Sequence, residues 1–104
     1  MNKVYICKMV KYVMRNGHYS MRDCRDLAVF SRPEDAISHI HKTVNYRFGH
    51  MIELREYLDL NTNEMKNGKF EIEKIDDYHI SVIYPTTKNK LIYYIEEMIL
   101  DFYV

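Results

Sequence analysis

Tryptophan is absent from this chain, and glycine, proline and cysteine are scarce, at three, two and two of 104 residues. Each shortage excludes something. So few glycines and prolines leave little room for linkers or disordered tails, and neither a repeat nor a low-complexity run is visible. Gly17, Gly49 and Gly68 stand alone, which rules out a glycine-rich phosphate cradle and a dinucleotide fingerprint. Cys7 and Cys24 form no C-x-x-C pair and share no zinc-type spacing with a histidine. Long apolar runs are missing as well. Lys8 and Lys11 interrupt the residues after Met1, so neither a secretory core nor a membrane span is read. The expected location is the cytoplasm, with both cysteines as thiols. An excess of one charge is the last absence: fifteen basic side chains balance fifteen acidic ones.

What is present suits one α+β domain over residues 1–104. A chain that is 47% apolar and 13% aromatic can build a single core, burying roughly 60–68% of the surface its unfolded form exposes. Ten tyrosines imply many ring positions with one apolar and one wet end. The balanced charge is unevenly placed. Lys3, Lys8, Lys11, Arg15, Arg22, Arg25 and Arg32 face only Asp23 and Asp26 in residues 1–32, a net +5, so residues 33–104 carry −5. Such asymmetry points to a charged partner.

Val4 to Met14 is rich in valine, isoleucine and tyrosine and predicts a strand. Asn16-Gly17 follows, the pair favoured in a two-residue hairpin turn because both positions need positive φ. Regular pairing about that turn sets Val4 opposite Val29, Ile6 opposite Leu27 and Lys8 opposite Arg25, the last a repulsive pair. It also sets Cys7 opposite Asp26 and Cys24 opposite Met9, too far apart for an unstrained disulfide. Ser31 and Glu34 form an S-x-x-E capping box, with Pro33 in the first turn and Glu34 and Asp35 at the positive helix end. Ile37, Ile40, Val44 and Phe48 then recur at helical spacing beside Ala36, and Gly49 offers a stop. Residues 50–60 fit a second short helix through Met51, Leu54 and Leu58, although their alternation also fits a strand. Asn61 to Gly68 reads as a loop. Phe70 to Ile75 and Tyr78 to Tyr84 alternate as two strands about Asp76-Asp77, and Pro85 ends the second. Leu91 to Val104 fits either period; pairing back on residues 78–84 favours a strand. The expected fold is an antiparallel sheet of four to five strands with one or two helices packed on one face.

Catalytic signatures are missing. His39 and His41, two apart on the predicted helix, point about 160° away from each other and cannot share an ion. His41 instead borders the apolar stripe, as a hydrogen-bonded core-edge residue would. Cys24 has arginine neighbours but no local base. Adjacent acids such as Asp76-Asp77 and Glu96-Glu97 face opposite ways on a strand. The expectation is a protein with no enzymatic activity, metal or cofactor.

Two surfaces remain. Lys8, Lys11, Arg15, Arg22 and Arg25, interleaved with Tyr12, make a basic ribbon that can track phosphates and stack bases. Glu71, Glu73, Asp76 and Asp77 cluster on the later hairpin, joined by Glu96 and Glu97 if the tail pairs alongside. A rigid acidic sheet of that kind can dock on a basic protein. Tyrosine-rich edge strands also permit a homodimer by sheet extension.

The order Lys3-Val4-Tyr5-Ile6, a polar hairpin, then Val29-Phe30-Ser31 into Glu34-Asp35-Ala36-Ile37 resembles small accessory proteins encoded by bacteriophages and mobile elements. The likeness covers residues 3–45. It implies a viral inhibitor or modulator that binds a bacterial nucleic-acid-processing or defence enzyme through protein–protein contact. The acidic hairpin is the expected contact surface, and nucleic-acid binding by the basic hairpin is the alternative.

Overall fold

Asn16 and Gly17 take φ values of 51° and 79°, the left-handed pair that a type I′ turn demands. A Cβ on Gly17 would meet nothing within 4 Å, so backbone conformation rather than space selects glycine there. The turn joins β1 (Asn2–Arg15) to β2 (His18–Phe30). In this computed structural model, residues 2–49, 64–66 and 71–100 are described. The remaining elements are α1 (Pro33–Gly49), β3 (Glu64–Lys66), β4 (Glu71–Asp76), β5 (His79–Ile83) and β6 (Lys90–Leu100). The strands form one antiparallel sheet in the order β2-β1-β6-β5-β4-β3, which with one helix on one face is the expected α+β architecture. The three-residue β3 adds a short strand within the stretch that composition read as loop. The helix expected over 50–60 lies outside the described residues.

Hairpin register departs from the simple expectation. It starts regularly, with Arg15 opposite His18, and then shifts between Lys11 and Tyr12 and again between Cys7 and Lys8. Arg22 and Leu27 are the extra residues on β2. Lys8 therefore faces Asp26 instead of Arg25, Cys7 faces Ala28 instead of Asp26, and Cys24 faces Val10 instead of Met9. Val29 sits opposite Ile6 and Phe30 opposite Tyr5. The bulges have a clear physical effect. An unshifted ladder would set the Asp26 carboxylate beside fully buried Cys7 and press Arg25 against Lys8, and both arrangements are costly. Two inserted residues exchange them for an apolar pair and an ion pair.

Entry into the helix also differs in detail. Ala36 N–H donates to the Arg32 carbonyl at 3.3 Å, which makes Arg32 the N-cap and puts Pro33 at the first helical position. Glu34 lies against Arg32, Oε2 to Nε 3.6 Å, where the capping box would have sent it back to Ser31. Ala36, Ile40 and Val44, spaced by four, are fully buried, and His41 at 8% exposure borders them. They pack on one face of the sheet against Tyr5, Cys7 and Met9 of β1, Ile72 of β4, Ile80 and Val82 of β5, and Leu91, Tyr93 and Ile95 of β6. The alternation of Tyr5, Cys7 and Met9 in β1 and of Leu91, Tyr93 and Ile95 in β6 is the period-two pattern of a sheet with one apolar face. His41 Nδ1 bonds the Ile37 carbonyl at 2.8 Å within the helix.

The tail strand pairs where expected. Ile83 to His79 run opposite Lys90 to Tyr94. Tyr84 N–H donates to the Asn89 carbonyl and Lys88 N–H to the Tyr84 carbonyl, closing the connection, with Lys88 at φ 65°. The same strand pairs along its whole length with β1, from Asn2 opposite Leu100 to Tyr12 opposite Lys90. Among the described residues no helix is long and apolar enough to cross a membrane.

Truncating the centre of the helix stripe should be costly. Ile40→Ala is expected to lower the unfolding free energy by about 2–5 kcal/mol, whereas Ile75→Ala, at a half-exposed site, should change it by less than about 1 kcal/mol. Urea titration followed by circular dichroism measures both.

Candidate functional site

Strand β1 lies between β2 and β6, so the N-terminal basic ribbon is laced to the C-terminal tail. That arrangement changes how charge is distributed. Glu96 and Glu97 stand opposite Ile6 and Tyr5, beyond the last β5–β6 pair at His79 and Tyr94. They do not line up with Glu71 and Glu73, from which β5 separates their strand. Lys8 Nζ instead reaches Glu96 Oε2 at 2.5 Å and Asp26 Oδ1 at 3.7 Å, and Lys3 meets Glu97 at 3.4 Å. Tyr5 donates its hydroxyl to Glu97 Oε1 at 3.2 Å. Burial and the Glu97 carboxylate push the Tyr5 phenol up, and the Glu96 bond raises the Lys8 ammonium.

Asp76 and Asp77 are engaged as well. Asp76 Oδ1 accepts from the Tyr78 amide at 2.7 Å and lies 2.8 Å from His79 Nδ1. The His79 bond holds the Asp76 carboxyl below its ordinary value. The His79 ring stacks on Tyr94 at 6.1 Å and 8°. Lys74 meets Asp77 at 3.0 Å. Of the six acidic residues expected to form one surface, four are thus tied into local pairs. Glu71 and Glu73 lie on β4, with Glu73 opposite Glu64 in the β3–β4 register.

Basic residues divide in the same way. Lys8 is held by its two carboxylates, and Arg25 Nε donates to Asp23 Oδ2 at 2.7 Å. Lys11 and Arg15 on β1 and Arg22 on β2 are exposed at the turn end of the sheet, and no carboxylate of a described residue pairs with them within 4 Å. Two lysines of the other half join them: Lys90, opposite Tyr12, and Lys88 just before it. Lys90 Nζ lies 5.2 Å from the Tyr12 ring centre and 4.2 Å from that of Tyr19. The two rings meet edge to face at 6.3 Å and 76°. On the helix side of this end, Lys11, Arg47, Tyr84, Thr87 and Asn89 line a cleft of about 260 Å³.

Basic side chains gather by position along the strands, not by hairpin. The turn end collects Lys11, Arg15, Arg22, Lys88 and Lys90, with Asp23 opposite Lys11 and Glu71 two strands away in the row of Lys90; the far end holds Asp26, Asp76, Asp77, Glu96 and Glu97 mixed with Lys3, Lys8 and Lys74. Composition missed Lys88 and Lys90, because only the β1–β6 register carries them to the ribbon.

Nucleophile and metal candidates are placed apart. Cys7 is fully buried on the helix face, its Sγ 3.5 Å from the Ala36 carbonyl, and burial pushes its thiol up to about 11. Cys24 is exposed on the opposite face, beside Val10, and both cysteines are free. His39 packs its ring on Phe30 while His41 bonds within the helix. Among the described residues no three histidine, cysteine, aspartate or glutamate side chains gather as a metal-holding group. Comparison of the chain with protein-family models, curated proteins and solved structures finds no match.

Under native conditions one thiol per chain should react rapidly with Ellman's reagent, and a second only in guanidinium. Two fast thiols in the folded protein would contradict the burial of Cys7.

Proposed function

We propose that this chain is a cytoplasmic, non-enzymatic binding protein that takes single-stranded nucleic acid along the turn end of its sheet. The observation carrying this reading is the gathering of Lys11, Arg15, Arg22, Lys88 and Lys90 at the turn end of the sheet, with Lys90 over the Tyr12 and Tyr19 rings on one face and Lys11 on the other. Asp23, the carboxylate in the β1–β2 register nearest Lys11, is already bonded to Arg25. Each phosphate neutralised releases counterions, so a cluster of cations supplies affinity without base reading. The tyrosines add ring faces against which a base or sugar can pack. The chain's zero net charge is no obstacle, since among the described residues Asp26, Asp76, Asp77, Glu96 and Glu97 lie at the far end and Asp23 is held by Arg25.

Fluorescence anisotropy with a labelled oligothymidylate at low salt tests this. Replacing Lys11, Arg15 and Lys88 with alanine should weaken binding and flatten the slope of log affinity against log salt by about 2, at about 0.7 per charge. An absence of binding by the unaltered protein at low salt would overturn the reading.

A second reading rests on β4. Glu73 and Glu64 are register partners of like charge, an arrangement that a basic surface would relieve. This supports the contact implied by the resemblance to phage accessory proteins, in which a bacterial nucleic-acid-processing enzyme is bound and blocked. Such a partner should be retained from a nuclease-treated bacterial lysate by the unaltered chain and lost from the Glu71→Lys, Glu73→Lys double variant. Equal retention by both would reject β4 as the contact.

A further inference from the structure

Strand β2 is the outermost strand of the sheet, and among the described residues no strand lies beyond it. It runs for 13 residues, and residues 18–22 and 24–26 are exposed. An edge of that length presents a row of unpaired backbone groups, which proteins ordinarily blunt with charge or bulges. Here the charges have a particular order. We propose that β2 is the interface of a symmetric dimer, pairing antiparallel with the same strand of a second copy about a two-fold axis at Cys24.

The argument lies in Met21-Arg22-Asp23-Cys24-Arg25-Asp26-Leu27. Laid antiparallel on itself about Cys24, this segment sets Arg22 opposite the partner's Asp26 and Asp23 opposite the partner's Arg25. Met21 faces the partner's Leu27, and the two copies of Cys24 face each other. All charged residues of the segment then meet opposite charge. Slipping the register by one residue sets Arg22 against the partner's Arg25, or Asp23 against the partner's Asp26. Slipping by two places Asp23 or Arg25 opposite its own copy. Like charges directly opposed are destabilising, so one register is favoured and its neighbours are rejected.

Local geometry supports the same pairing. The two bulges fall at Arg22 and Leu27, so the central Asp23–Arg25 and Cys24–Cys24 pairs lie wholly within the regular stretch from Asp23 to Asp26 between them. Asp23 and Arg25 already share a face and a 2.7 Å bond. Across the axis they would join their counterparts in a four-residue charged network, which outlasts an isolated surface pair. Cys24 lies on the other face with Asp26, which is itself held by Lys8 at 3.7 Å. Directly opposed Cα atoms in antiparallel strands stand about 4.5–5.5 Å apart, a separation that a disulfide spans. Pairing the two edges yields one continuous sheet in which Arg22 is given to the partner's Asp26 and the Lys11–Arg15–Lys88 ends, left for nucleic acid, point in opposite directions, so nucleic-acid binding can fail without affecting dimerisation.

Sedimentation equilibrium on nuclease-treated protein, with and without the substitution Cys24→Ser, should give a non-covalent dimer in both cases. Asp23→Arg turns two attractive pairs into repulsive ones and should weaken the dimer about tenfold or more. The exchange Asp23→Arg with Arg25→Asp restores opposite charge at every position and should recover it. In the unaltered dimer, diamide should take two electrons and two protons from the paired Cys24 thiols, leaving one intermolecular disulfide. Circular dichroism confirms that each variant is folded. A monomer at all soluble concentrations would overturn the proposal. So would a dimer indifferent to Asp23→Arg, or one that the charge exchange fails to restore.

Discussion

The ladder between β1 and β6 is the constraint on which the rest of this structure depends. It runs without a register shift from Asn2 opposite Leu100 to Tyr12 opposite Lys90, so the first and last described strands are neighbours inside the sheet. Because β1 is paired on both sides, its odd residues Tyr5, Cys7 and Met9 must all face the helix and its even residues the other way. The helix stripe of Ala36, Ile40 and Val44 then has one place to dock, over the buried residues of β1, β5 and β6. Long-range pairing of this kind is costly in chain entropy to close, and the continuous apolar face is what offsets it.

The same ladder decides the electrostatics. Bringing the acidic tail beside the basic hairpin neutralises Lys3 and Lys8 with Glu97 and Glu96. Surface pairs of this sort add little stability individually. Their larger consequence is positional. They use up charge at one end of the sheet, while at the other Lys11, Arg15, Arg22 and Lys88 form no ion pair with a carboxylate of the described residues. The bulges in β2 act in the same direction, moving Asp26 from the buried face to Lys8. Function, on this reading, follows from which charges remain after the fold has paired the rest.

Much of the architecture was legible beforehand. Asn16-Gly17 announced its turn because few residues accept two successive positive φ values, and Ile40 and Val44 announced a buried stripe by their spacing. The β4–β5 hairpin was visible in the alternation of Ile72, Ile80 and Val82. Less was legible where two good local solutions compete. The S-x-x-E pattern predicted a cap at Ser31, yet Pro33 at the first helical position and the Arg32 carbonyl bond shift the start by one residue. Bulges at Arg22 and Leu27 leave no composition signal, since their cause is the face that Asp26 would otherwise occupy.

The amino-acid order by itself determined a hairpin, a helix with one apolar stripe and a second hairpin, together with an overall charge of zero, and left the tail between helix and strand. Turn chemistry and hydrophobic period are local properties, readable over a few residues. Only the tertiary structure decided which strands became neighbours, and with that where Lys90, Glu96 and Glu97 lie. Register between segments some 90 residues apart depends on burying whole faces together, which no local pattern contains.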